Sequence, residues 1–140
     1  MRKQIGLLSI VGLFGLLATA YAQAPSTSNA GTAFDGTYRL VSSTKVTEMY
    51  TWYNGQTVQC QSRKPGLLHI VGGRVHYTAA TGYWLAGMVG PQGELTMRST
   101  TMVASTRPFF IQASGSIDGS GTARVRQRAS ACSYDFVWQK

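Results

Sequence analysis

The chain has 140 residues, with 13 Lys or Arg against five Asp or Glu and a formal net charge of +8. That length supports one domain with one core, and the two cysteines alone are too few ligands for a closed metal site. The basic balance points to anionic partners such as surface lipid, polysaccharide or acidic protein, although a merely solvated basic surface is the plainer account.

Arg2 and Lys3 are followed by an apolar run from Ile5 to Leu17 and by Ala20-Tyr21-Ala22. This is the pattern of a secretory signal peptide over residues 1–22, with cleavage expected between Ala22 and Gln23. The run is short and glycine-rich for a membrane span, and no second one follows. The first cysteine is Cys60, so no lipid anchor is expected at the cut. No membrane span is expected after cleavage, and the predicted location is periplasmic or secreted. Nucleic acid is not an expected partner there. Gln23 to Ala33 lacks large apolar residues and periodicity and reads as a flexible leader. A single domain is expected over residues 34–140.

From Phe34 onward no amphipathic helix is evident, and turn signals alternate with β-branched and aromatic stretches. Asn54-Gly55 and Gly72-Gly73 each suggest a two-residue type I′ hairpin turn. Gly90-Pro91-Gln92-Gly93 and Asp118-Gly119-Ser120-Gly121 separate further strand pairs, and Lys64-Pro65-Gly66 and Thr81-Gly82 mark other breaks. Gly87–Gly93 and Gly115–Gly121 share the pattern Gly-x-(Val/Ile)-x-x-x-Gly, which suggests a repeated hairpin. The last strand is expected from Cys132 to Trp138.

Alternation assigns faces. Phe34, Gly36, Tyr38 and Leu40 form one side of the first strand, and Cys132, Tyr134, Phe136 and Trp138 one side of the last. Phe109, Ile111, Ala113 and Ile117 form another inner set. Ala123, Val125 and Ala129 oppose Arg124, Arg126 and Arg128. One dry and one wet face imply antiparallel sheet. Eight to ten short strands linked in this way would leave two open edges unless they closed. The expected fold is therefore all-β, an antiparallel up-and-down meander barrel, with a β-sandwich as the alternative.

The opening Phe34-Asp35-Gly36-Thr37-Tyr38 resembles the first strand of lipocalin- and avidin-like barrels, with Tyr38 where those carry tryptophan. The stretch from Phe34 to Trp138 also resembles small exported proteins of Gram-negative bacteria. These share an Asp-Gly-Thr-aromatic start, glycine-punctuated hairpins and a late cysteine before an aromatic strand. Neither resemblance brings ligand residues with it.

Several residues are candidates for a role. Cys60 and Cys132 are expected to form one disulfide. Across the Gly72-Gly73 turn, His69 would face His76, a like-charge pairing expected to lower the pKa of at least one of them. A metal there would need a third ligand that the sequence does not supply, so surface histidines are the simpler account. Arg98, Arg124, Arg126 and Arg128 form a candidate anion patch, or else a solvated outer face. Tyr50, Trp52, Tyr53, Tyr83 and Trp84 are candidate ligand-lining aromatics at a barrel mouth, or else interior packing. No G-x-S-x-G or H-E-x-x-H motif occurs, and Glu48 and Glu94 would serve acid/base chemistry only if folding joined them. No cofactor and no catalytic residue is expected. The function that follows is a non-catalytic binding protein for a small ligand or envelope component. A protein-interaction module, such as an inhibitor of a secreted hydrolase, is the alternative.

Overall fold

The computed structural model describes residues 32–102 and 108–140. The expected signal peptide and most of the expected leader lie outside the described residues. A 3-10 turn, Thr32–Phe34, precedes ten strands. These are β1 Gly36–Lys45, β2 Met49–Thr51, β3 Thr57–Gln59, β4 Leu68–Val71, β5 Arg74–Thr78, β6 Trp84–Val89, β7 Glu94–Met102, β8 Pro108–Ile117, β9 Thr122–Arg128 and β10 Ser133–Gln139.

Eight of these strands close an antiparallel barrel in the order β1-β10-β9-β8-β7-β6-β5-β4. This is the expected meander; the sandwich alternative is excluded, because one sheet closes on itself and leaves no edge. β2 and β3 are not wall strands. They form a separate two-stranded sheet inserted between β1 and β4.

The turns explain the closure. Gly72 and Gly73 have φ of 60° and 74°, and the strands they join pair Val71 with Arg74, Ile70 with Val75 and His69 with His76. That is the expected type I′ hairpin. Asn54-Gly55 corrects the other expectation. No non-glycine residue described has positive φ, so Asn54 does not take the type I′ conformation. Instead Trp52 N donates to Gln56 O and Gly55 N to Trp52 O, a three-residue loop with Gly55 as the left-handed bulge. The same two bonds recur at Ala79–Tyr83, Gly90–Glu94 and Asp118–Thr122, with Gly82, Gly93 and Gly121 in the left-handed position.

The repeated glycine pattern now has a physical basis. Its last glycine, Gly93 or Gly121, completes the turn. Its first, Gly87 or Gly115, faces inward in the wall, where the next strand's backbone leaves no room for a side chain. A Cβ on Gly87 would lie 1.7 Å from the Thr96 carbonyl oxygen, and one on Gly115 would lie 1.9 Å from that of Arg124. Glycine at such points lets the sheet bend sharply enough to close.

Inward residues fill most of the barrel. Tyr38, Tyr77, Phe136 and Trp138 are buried, with Tyr77 and Trp138 ring centroids 5.1 Å apart and Phe136 and Trp138 5.4 Å apart. Ile111, Ala113, Ile117, Ala123 and Val125 are buried as alternation requires, whereas the side chain of Phe109 is outside the described ones. In β1 the alternation holds through Tyr38, Leu40 and the outward Val41 and then slips at a bulge between Leu40 and Ser42, which leaves Ser42 exposed and turns Ser43 inward.

The two barrel ends differ. At the lower end Asp35 accepts hydrogen bonds from Gly72 N and Gly73 N, and Lys140 Nζ donates to Asp35 O. Phe34 packs on the core there, with Tyr38 Oη donating to its carbonyl. β1 pairs with β4 only through Gly36–Tyr38, toward this lower end. Above this, three side chains hold the linker between β3 and β4. Ser43 Oγ donates to Arg63 O, Tyr134 Oη to Gln61 O, and the Trp138 indole N–H to Gly66 O at 2.9 Å.

Candidate ligand site at the barrel mouth

At the upper end small side chains stand among the large inward ones. Ala129 follows Gln127 on the inward side of β9, and Ala80 and Ala131 come from the neighbouring turns. Small residues there leave a cavity of about 330 Å³. Ile111, Gln127, Ala129, Tyr134 and Phe136 line it from the wall, and Tyr50 and Val58 from the β2–β3 hairpin. This is at the small end of the range for ligand pockets, and its volume is that of on the order of ten liquid waters.

A disulfide holds the hairpin in place. Cys60 follows β3 and Cys132 precedes β10; they are bonded, with Cα atoms 5.9 Å apart, and both line the cavity. Cys60 N also donates to Glu48 O, which ties both hairpin strands to the bridge. The bridge is the pairing expected from sequence. It is consistent with an oxidising, exported compartment.

Gln59, Gln61, Arg63, Thr81 and Gln127 are the polar side chains of the lining, beside three tyrosines. Gln127 is 6% exposed, and its Oε1 accepts from Tyr77 Oη at 2.7 Å. Burial pushes the Tyr77 hydroxyl far above its ordinary pKa, so it stays a neutral donor. Arg63 lines the cavity from the linker and is half-buried.

The five aromatics expected at a mouth do not act together. Tyr50 and Tyr83 line the cavity. Trp52 and Tyr53 sit in the hairpin loop and are exposed, Tyr53 to 95%. Trp84 does not line the site at all, because it shares the outward parity of Ala86 and Met88 while Leu85 points in. It stacks on His76, centroids 4.4 Å apart, and His76 stacks on His69 at 5.2 Å. The histidine pair lies on the outer wall, with Thr37 Oγ1 3.2 Å from His69 Nδ1. Partial burial, and secondarily the neighbouring His69, lowers the His76 pKa. Among the described residues no group of three His, Cys, Asp or Glu is placed to hold a metal ion.

The arginine stripe is also divided. Arg126 makes two hydrogen bonds of 2.7 Å to Asp135, and Arg124 contacts Asp118 at 3.2 Å. These exposed pairs contribute little to stability but neutralise half of the candidate patch. Arg98 and Arg128 flank Gln112 across β8 and make no ion pair among the described residues. Glu48 and Glu94 are not joined: Glu48 pairs with Lys45 at the mouth, and Glu94 accepts from Gln92 N in a lower-end turn.

Reading from sequence missed Gln127 and Arg63. A signal for Gln127 was present, since it interrupts the inward series Ala123, Val125, Ala129 with a polar residue. Arg63 carried none, because it lies in a linker without alternation. Compared with known proteins, the chain matches no family model, no curated protein and no solved structure.

Proposed function

We propose that this is an exported, periplasmic or secreted binding barrel that holds one small ligand in its upper mouth. The observation that carries the reading is the contrast within one interior. Side chains fill the barrel below, while alanines, a disulfide, the hairpin and the rings of Tyr50, Tyr83, Tyr134 and Phe136 frame a cavity of about 330 Å³ above. An eight-stranded barrel either fills with side chains or keeps room for one ligand, and lipocalins and streptavidin take the second course. The first-strand resemblance to those barrels supports the same reading.

Native mass spectrometry of protein recovered from its own exported fraction tests it. The expected result is a co-purifying mass of a few hundred daltons, on the scale of small-ligand sites. Ala129→Trp, which fills the cavity, should lose that mass without losing the fold. A protein that carries nothing and takes up nothing from a small-molecule library would contradict the reading.

A second reading has its own observation. Met49, Trp52 and Tyr53 are exposed on the hairpin, at 62%, 46% and 95%. Aromatic residues presented this way suit a protein partner. Trp52→Ala with Tyr53→Ala would then abolish capture of that partner but leave small-ligand binding unchanged.

A further inference from the structure

The chemistry of the mouth narrows the class of ligand, an inference that rests on the binding reading above. The chain contains only five acidic residues, and each is engaged with groups other than the cavity lining. Asp35 holds the Gly72-Gly73 turn, Glu48 pairs with Lys45, and Glu94 accepts from Gln92 N. Asp118 and Asp135 pair with Arg124 and Arg126. None of the five lines the cavity, whereas Arg63 does. Among the described residues Arg63 has no carboxylate partner. A half-buried arginine lining a cavity that holds no carboxylate favours an incoming anion.

The second observation is Gln127. Its Oε1 is taken by Tyr77, and its Nε2 has no hydrogen-bond partner among the described residues. No buried side-chain nitrogen or oxygen among the described residues lacks a partner, so this Nε2 is a donor open to the cavity that Gln127 lines, where an acceptor suits it. Arg63 and Gln127 therefore ask for oxygen atoms, while Ile111, Ala129 and Phe136 ask for hydrocarbon.

We propose that the mouth takes a small amphipathic carboxylic acid, its carboxylate at Arg63 and its apolar body against Ile111, Ala129 and Phe136. Gln127 Nε2 donates to an oxygen of the same ligand. The bidentate fork of arginine suits a carboxylate better than a neutral hydroxyl. The cavity volume limits the ligand to about the size of a medium-chain acid.

Calorimetric titration of the disulfide-bonded protein with octanoate and with 1-octanol tests this. The two probes share a chain and differ in the head group. Octanoate should bind at least about tenfold more tightly, as expected for a charge-assisted bidentate contact. Arg63→Gln should remove that preference and leave octanol affinity and thermal stability unchanged, while Arg63→Lys should restore part of it. Equal affinity for acid and alcohol in the unaltered protein would overturn the carboxylate assignment and leave the binding barrel standing. A preference that survives Arg63→Gln would overturn the role of Arg63. Binding of neither probe would overturn the amphipathic-acid class, whereas the binding barrel itself is decided separately by native mass spectrometry.

Discussion

Tyr77 on β5 donates its hydroxyl to the amide oxygen of Gln127 on β9, 50 positions further along the chain, at 2.7 Å. This polar bond sits at the boundary between the aromatic filling and the cavity. It lets a hydroxyl remain in the core and leaves the other end of the Gln127 amide available to the mouth.

Gln127→Leu strands the Tyr77 hydroxyl in an apolar interior. The expected cost is about 1–3 kcal/mol, the penalty for a buried donor without a partner. Adding Tyr77→Phe should recover part of it, so the double variant should be less destabilised than the sum of the two singles. Chemical denaturation of the four proteins measures the difference. Strict additivity would show that the bond contributes no coupling.

Gly87 and Gly115 leave no space for a Cβ. Gly87→Ala and Gly115→Ala should each destabilise by about 3 kcal/mol, because backbone must move rather than a side chain. Gly119→Ala is the control, since a Cβ there meets nothing within 4 Å. Melting temperatures that fall equally in all three would contradict the closure argument.

Removing the disulfide should affect both stability and site. The bonded cysteines are 72 positions apart, and a loop of that length implies up to about 4 kcal/mol of chain-entropy stabilisation. Replacing Cys60 and Cys132 together with serine should lower the melting temperature and also weaken ligand affinity, because the hairpin loses its anchor. The intact protein should show no free thiol in a thiol titration.

Two groups predict a pH profile. His76 has a lowered pKa in the folded state, so folding disfavours its protonation. Its share of stability is full above the unfolded value of about 6.5 and declines as pH falls through that region. His76→Phe, which keeps a ring on Trp84, should flatten the melting temperature between about pH 7.5 and 5. Asp118 is held down to about 2, first by the Ser120 hydroxyl and then by Thr122 N, with a further contribution from Arg124. Its contribution is present above the unfolded carboxylate value of about 3.9 and is lost toward pH 2. Asp118→Asn should remove that part of the acid limb only.

The barrel was legible where local chemistry and tertiary demand agree. Gly72-Gly73 specified both its turn and the His69–His76 register, because two adjacent glycines tolerate the two positive φ values that a type I′ turn needs. Asn54-Gly55 was misread because the same dipeptide also serves a three-residue loop, and strand register rather than dipeptide identity decides between them. Trp84 was expected at the mouth because it follows a turn, yet alternation from Leu85 places it outside. Arg63 and the alanine rim were not legible at all. They become a site only through a linker and a disulfide that join positions far apart in the chain.

The most direct test of the central claim, that the upper mouth is the binding site, is an amide NMR titration of the intact protein with octanoate. Shift changes are predicted at Cys60, Arg63, Ala80, Gln127, Ala129 and Cys132, which line the cavity, and not at Gly72, Gly73 or Gly121 at the opposite end. Changes concentrated on the outer wall around His76 and Trp84, with the cavity residues unmoved, would contradict the claim.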